Sequence, residues 1–254
     1  MKIKTPNLSL IIPAYNEEAI ILDSMKSTAK WLDLNKLDES TEIVISTADS
    51  TDKTVAIVSE YGPKLFSNFL HIKPGPKFGK GRDVQSGMLA ANGDKLIFMD
   101  ADLATPLDHI LEAVHLLDAF DVVIGTRELT TMHKSIKRTI TSLGANALTR
   151  MLVGWNIPDS QCGFKGFRRQ SAELLFKDLE SLRWAFDLEL IAKARANGMS
   201  IAKLPIPDWH DPKIDAGLVG ESATSVSSEI LKEMIKISYK KRTGKLMIKN
   251  KGQK

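Results

Sequence analysis

Short apolar runs alternate with longer stretches of helical periodicity along most of this chain. Leu8-Ser9-Leu10-Ile11-Ile12 reads as a buried strand ended by Pro13. Residues 17 to about 31 then carry apolar positions at helical spacing, with Glu17 and Glu18 in the first turn. Glu42-Ile43-Val44-Ile45 is a second strand, followed by a polar turn and a helix over about residues 52–60. Phe69-Leu70-His71-Ile72 is a third, trailed by a glycine-rich loop and a helix over about residues 82–91. Lys95-Leu96-Ile97-Phe98-Met99 is a fourth strand and runs directly into Asp100-Ala101-Asp102. Pro106 is expected to open the next helix from a favoured first-turn position, and Asp121-Val122-Val123-Ile124 is a fifth strand.

Such alternation requires crossover connections. It predicts an α/β fold with a single, mostly parallel sheet and helices on both faces. Residues 134–220 are expected to form a second half on the same sheet. Ligands of such sheets bind beyond the carboxyl ends of the strands, so the residues just after each strand are the candidates.

Composition narrows the class. The chain has 254 residues, 43% hydrophobic and 26% charged, which is ordinary for a globular protein. The single Cys162 excludes an internal disulfide framework and a cysteine-rich zinc site, and the five histidines show no metal-ligand spacing. No run of about 18 apolar residues is present, and no signal peptide is expected ahead of the first strand, so a cytoplasmic location is expected. A net charge of +4 is too small for a nucleic-acid protein.

The cations are unevenly spread. From Leu231 onward there are nine lysines and arginines against one acid, Glu233, and residues 243–254 are expected to be a disordered basic tail. Val226, Ile230, Met234 and Ile237 recur at helical spacing, with Lys232, Lys236 and Lys240 on another face. Two readings are open: the apolar stripe packs on the domain, or the helix lies on an anionic membrane surface at the cytoplasmic face.

Asp100 and Asp102 carry the first chemical signal. In extended geometry residues two apart point to one side, and hard divalent cations take one or two carboxylates together with substrate phosphates. A polar turn that solvates a strand end is the competing reading. Pro13-Ala14-Tyr15-Asn16-Glu17 offers an aromatic face for a base and a carboxylate for a ribose. Lys77-Phe78-Gly79-Lys80-Gly81-Arg82 sets glycines and cations before a helix start, which suits phosphates or else a basic surface loop. Cys162 reads as a packed thiol and His210 as a loop residue, while Trp184 and Phe186 divide between core and acceptor groove.

These motifs, together with Ser50-Thr51-Asp52-Lys53-Thr54, occur in the order and spacing of family 2 glycosyltransferases with the GT-A fold. Val123-Ile124-Gly125-Thr126-Arg127, Asp159-Ser160-Gln161-Cys162-Gly163-Phe164-Lys165 and Trp184-Ala185-Phe186-Asp187-Leu188-Glu189-Leu190 resemble the dolichyl-phosphate and polyprenyl-phosphate glucosyl- and mannosyltransferase branch. The Gln-Cys-Gly-Phe-Lys form leans toward the glucosyl type.

The resemblance implies one GT-A domain over residues 1–242. A nucleotide-sugar half would cover 1–125, and an acceptor half with the C-terminal amphipathic helix would cover 126–242. It implies inverting transfer of a hexose from a nucleotide sugar to a polyprenyl phosphate, with UDP-glucose favoured over GDP-mannose. Donor contacts would come from Pro13, Ala14, Tyr15, Glu17, Asp49, Lys80, Asp100 and Ala101. Asp100 and Asp102 would hold Mg2+ or Mn2+, and Asp102, Asp159 and Arg127 would be catalytic. Arg127, Arg138 and Ser142 would hold the acceptor phosphate. Asp159 remains open between a base, a metal-shell ligand and a turn cap.

One departure stands out. The family carries an Asp-Asp-Gly-Ser turn after the second strand, where this chain has Thr47-Ala48-Asp49-Ser50. Either Asp49 substitutes from one position along, or base recognition is rearranged. A hydroxyl acceptor on a glycan, and a weakly catalytic nucleotide-sugar-binding subunit, are the alternative functions.

Overall fold

The structure, a computed structural model, describes residues 6–127, 159–210 and 223–248, with the side chains of 223–230 left aside. Its strands are β1 (Leu8–Ala14), β2 (Thr41–Thr47), β3 (Phe69–Ile72), β4 (Lys95–Phe98), β5 (Val122–Arg127), β6 (Lys165–Arg168) and β7 (Ile201–Ile206). They form one sheet in the order β3-β2-β1-β4-β6-β5-β7. Neighbours pair in parallel except at β6, which runs antiparallel to both β4 and β5. The expected mostly parallel sheet is therefore present, with one reversed strand from the second half inserted between β4 and β5.

The helices are α1 (Ile21–Leu34), α2 (Thr54–Leu65), α3 (Lys80–Ala90), α4 (His109–Leu116), α5 (Arg169–Lys177), α6 (Phe186–Ala196) and α7 (Ala223–Arg242). Continuous burial of β2 on both faces explains its unbroken apolar run, since a parallel strand is covered on each side. Leu10 and Ile12 pack with Ile21 and Met25 of α1, Val58 of α2 and Ile110 of α4. Ile11 and Phe98 pack on the other face with Val84 and Met88 of α3, Phe176 of α5 and Leu190 of α6. Met234 and Ile237 of α7 pack on Leu188 and Ala192 of α6.

Several sequence expectations shift. β1 does not stop at Pro13 but continues to Ala14, paired with Thr47, so the proline falls inside a strand. α1 begins at Ile21, not near residue 17. Asn16 adopts a left-handed φ of 55°, and a turn from Glu17 to Ile20 precedes the helix. Pro106 lies in the turn before α4 rather than opening it, its carbonyl accepting from the His109 amide. The tail expected to be disordered from residue 243 is placed through 248. There Leu246 is 2% exposed and the Ile248 amide donates to Asn197 Oδ1.

The C-terminal helix divides the two readings of its stripe. Met234 and Ile237 are buried, as packing on the domain requires. Two of the three lysines also serve the domain, because Lys236 and Lys240 both pair with Glu180. A second apolar row, Leu231, Ile235 and Tyr239, stays exposed at 41%, 55% and 58%.

Candidate active site

The strand ends converge as the topology requires, with the first two latched together. The Asn16 side chain accepts from the Thr51 amide at 2.9 Å and donates to its hydroxyl at 3.1 Å. The Glu17 amide donates to Thr54 Oγ1 at 2.8 Å, and Asp52 Oδ2 accepts from the Glu18 amide. Burial raises the pKa of Asp52, but bonds from Thr54 and Glu18 outweigh it and leave the net shift downward. Pro13 and Ala14 close β1, while Tyr15 lies half-buried with the Lys77 ammonium 4.4 Å above its ring. Asp49 follows β2 as an exposed residue whose amide donates to the Gly75 carbonyl. Beside it, His71 shares hydrogen bonds with Thr47 and Ser59. Burial, then Lys73, lowers its pKa to about 4, so the ring is neutral at physiological pH.

The glycine loop behaves differently from its sequence reading. The Gly81 and Arg82 amides donate to the Arg183 and Leu182 carbonyls, and a Cβ on Gly79 would lie 2.7 Å from the Arg183 Cα. The glycines thus permit close packing of α3 on the segment before α6. The amides of Gly81 and Arg82 are not aimed at a ligand. What the loop contributes to the site is the Lys80 side chain.

Lys80 reaches Asp100. Its ammonium forms an ion pair with Asp100 Oδ1, the two side chains being 23% and 32% exposed. Burial lowers the Lys80 pKa, but Asp100, Asp187 and Asp102 outweigh it and hold the net value above that of an ordinary lysine. The extended geometry expected for the two aspartates is absent. β4 ends at Phe98, the Leu103 amide bonds to the Asp100 carbonyl, and Leu103 takes a φ of 54°. Asp102 Oδ1 then accepts from the Ala104 amide at 3.1 Å. A turn carries both carboxylates, as the competing reading had it, and both influence one ammonium. Ala101 between them is buried.

Gly163 seals the other side of Asp100. A Cβ at position 163 would stand 2.0 Å from Asp100 Oδ2. Gly163→Ala is expected to cut any metal-dependent turnover by at least about tenfold, by displacing this carboxylate from its geometry. Steady-state rates beside melting curves check this; unchanged rates would remove Asp100 from the site.

On β5, Arg127 grips Asp159 twice, Nε to Oδ2 at 2.6 Å and Nη2 to Oδ1 at 2.7 Å, while its own amide adds a third bond at 3.1 Å. The guanidinium lies 4.8 Å from the Trp209 ring centroid, a stacking contact that sequence reasoning missed. Arg138 and Ser142 lie outside the described residues. Cys162 is fully buried, with burial raising its thiol pKa, in keeping with a packed thiol. Trp184 is part-exposed and Phe186 is core.

Beneath the carboxylates runs a buried ion pair that no sequence pattern signalled. The Lys165 ammonium lies 2.6 Å from Asp187 Oδ1, both side chains almost wholly enclosed, and donates to the Cys162 carbonyl. Burial raises the Asp187 pKa, with Lys165 and Lys80 opposing.

Asp83 in α3 is also enclosed, with no hydrogen-bond partner for Oδ1 among the described residues. Burial pushes its pKa from 3.8 up to about 6, against Arg82. Its contribution to stability is full below pH 3.8 and is lost as pH rises through about 6. Asp83→Asn should therefore raise the melting temperature by a few degrees at pH 7.5 and leave it unchanged at pH 4. Equal effects at both pH values would contradict the assignment.

The carboxylates suit a hard divalent cation. Two oxygen donors sit at a strand end, an ammonium already stands against one of them, and such ions accept few protein carboxylates alongside phosphates. Among the described residues no cluster of three or more acidic, histidine or cysteine side chains offers a complete protein cage. A substrate phosphate would have to complete the coordination.

The sequence and fold have known relatives. Residues 9–176 match the model of Glycosyl transferase family 2. The chain is 31% identical over 217 residues to Dolichyl-phosphate beta-glucosyltransferase ALG5D of Trichomonas vaginalis, covering 80% of this chain and 66% of that protein. It is 30% identical over 257 residues to Dolichyl-phosphate beta-glucosyltransferase of Dictyostelium discoideum, covering 96% and 77%. Glucosyl-3-phosphoglycerate synthase from Mycobacterium tuberculosis, solved with Mn2+, UDP and phosphoglyceric acid, superposes with a TM-score of 0.65 at 17% identity. That match covers 97% of this chain and 81% of the other.

Proposed function

The chain belongs to glycosyl transferase family 2 and is a glycosyltransferase of GT-A fold, and from that premise we propose that it transfers glucose from UDP-glucose to a polyprenyl phosphate of the dolichyl type with inversion. The proposal includes Mg2+ or Mn2+ held by Asp100 and Asp102. The observation that carries the acceptor assignment is the Arg127–Asp159 pair. Asp159 would be the base for a hydroxyl acceptor, yet both its oxygens accept from Arg127. A phosphate acceptor needs no base, because its oxygen is already anionic near neutral pH. The names of the relatives support the same acceptor and sugar.

The reaction is one in-line displacement. An acceptor phosphate oxygen forms the bond to the anomeric carbon while the bond to the diphosphate breaks, and the leaving diphosphate keeps the electron pair. A bound divalent ion would stabilise the charge on that leaving group. Asp159 orients the Arg127 fork and Trp209 supports it from below. Nε and Nη2 serve Asp159, so Nη1 supplies donors for the acceptor phosphate. Arg138 and Ser142 are proposed to add to that phosphate site. Tyr15, Glu17 and Asp49 line the donor end, with Pro13 and Ala14 shaping the floor and Lys80 serving the diphosphate.

The deciding experiment screens UDP- and GDP-sugars with a polyprenyl phosphate and Mn2+, reading release of nucleotide diphosphate. UDP-glucose is expected to turn over fastest; GDP-mannose in its place would overturn the donor assignment.

A lipid acceptor has to be met at a membrane. Among the described residues no helix is long and apolar enough to cross one. The proposed contact is the outer face of α7, where Leu231, Ile235 and Tyr239 are exposed near Lys232 and Arg242. Flotation with vesicles containing anionic lipid should recover the protein at low salt. Leu231→Gln with Ile235→Gln should weaken recovery by at least about tenfold, since each buried apolar side chain is worth about 1.5–3 kcal/mol. Equal flotation of the double variant would refute this contact face.

A further inference from the structure

Lys80 occupies ground that the proposed metal needs. Its ammonium rests on Asp100 Oδ1, and the same ammonium lies within the electrostatic reach of Asp102. A divalent cation and an ammonium cannot share one carboxylate oxygen without strong mutual repulsion. One of the three groups has to move when metal arrives.

The packing decides which. Asp100 is wedged, with Lys80 on Oδ1 and the Gly163 backbone so close to Oδ2 that even a methyl group would not fit between. Asp102 is held by its bond from the Ala104 amide within the turn. The backbone at Lys80 is fixed by the amides of Gly81 and Arg82 bonded to Arg183 and Leu182. The Lys80 stem, with four rotatable bonds and a partly exposed tip, is the mobile partner.

Charge points the same way. Asp100, Asp102, Asp159 and Asp187 stand against Lys80, Arg127 and Lys165, four anions to three cations. A divalent ion added to that set reverses its sign and repels the ammonium. A diphosphate arriving with the metal restores the balance and gives the ammonium a new anion.

We propose that Lys80 is a resident counter-ion that competes with the divalent metal for Asp100 and is transferred to the donor diphosphate, so that metal and nucleotide each bind weakly alone and tightly together. This rests on the assignment of Asp100 and Asp102 as the metal carboxylates. The coupling is reciprocal: UDP strengthens metal binding by the factor by which metal strengthens UDP binding.

The test needs no turnover. Mn2+ binding to the full chain is measured by electron paramagnetic resonance of the free ion, without nucleotide and with saturating UDP or GDP. The proteins are wild type, Lys80→Met, Lys80→Arg and Asp100→Asn, each checked for folding by circular dichroism. Lys80→Met is expected to bind Mn2+ alone at least tenfold more tightly than wild type. Its nucleotide-induced gain in Mn2+ affinity should shrink by at least tenfold, while Lys80→Arg keeps the wild-type pattern. Lys80→Met with wild-type Mn2+ affinity and wild-type coupling overturns this inference and leaves the metal assignment standing. Mn2+ binding that Asp100→Asn does not weaken overturns both.

Discussion

Asp102→Asn is expected to lower sugar transfer about a thousandfold while the protein melts within a few degrees of wild type. Removal of one preorganised electrostatic contact to a developing charge costs about 10²–10³ in kcat, and loss of a metal carboxylate belongs at the upper end. The fold should tolerate the change. Asp102 meets the Ala104 amide through Oδ1, and an asparagine carbonyl oxygen accepts that bond equally well. Asp100→Asn should be as severe for turnover but less silent for structure, because its partner Lys80 loses a counter-charge. Initial rates of nucleotide diphosphate release over a Mn2+ titration, beside thermal melts, provide the check. Asp102→Asn retaining more than a tenth of wild-type activity at saturating Mn2+ would rule out the carboxylate role.

Much of this arrangement was legible in the chain, and what was not has physical causes. The strand–helix alternation placed every strand through β5 and hence the strand ends where Asp100 and Arg127 lie. Hydrophobic runs carry no direction, so the antiparallel β6 between β4 and β5 was not readable from periodicity. The start of α1 was misjudged because Asn16 and Glu17 are engaged by Thr51 and Thr54, over thirty residues away, which holds them out of the helix. Gly79 and Gly81 suggested a phosphate loop, but their partner is the backbone at Leu182 and Arg183, about a hundred residues on. The pairing of Lys165 with Asp187 left no mark in the sequence, since a buried pair differs from a solvated one only by what surrounds it. On α7 the visible stripe through Met234 and Ile237 masked a second one through Leu231, Ile235 and Tyr239.

The Arg127 and Asp159 variants divide the two acceptor readings by a crossing pattern. With a lipid phosphate as acceptor, Arg127→Ala should reduce kcat/KM for the lipid about 10²–10³-fold and leave the donor KM nearly unchanged. Arg127→Lys should not rescue it, because a point charge cannot reproduce the fork that meets both Asp159 oxygens and stacks on Trp209. Part of the loss would be structural: the Asp159 side chain is 6% exposed, and stranding such a carboxylate costs about 3–5 kcal/mol. Asp159→Asn separates the contributions. The amide oxygen can still accept from the Arg127 amide and Nε, so the fork stays in place with one bond fewer. Its activity should fall only about tenfold, and its pH–rate profile should keep the wild-type shape, since no base has been removed. A hydroxyl acceptor reverses the order, with Asp159→Asn inactive, Arg127→Ala losing only the structural part, and the acid-limb rise of the profile lost. Observing that reversed order would withdraw the lipid phosphate and return Asp159 to the role of base.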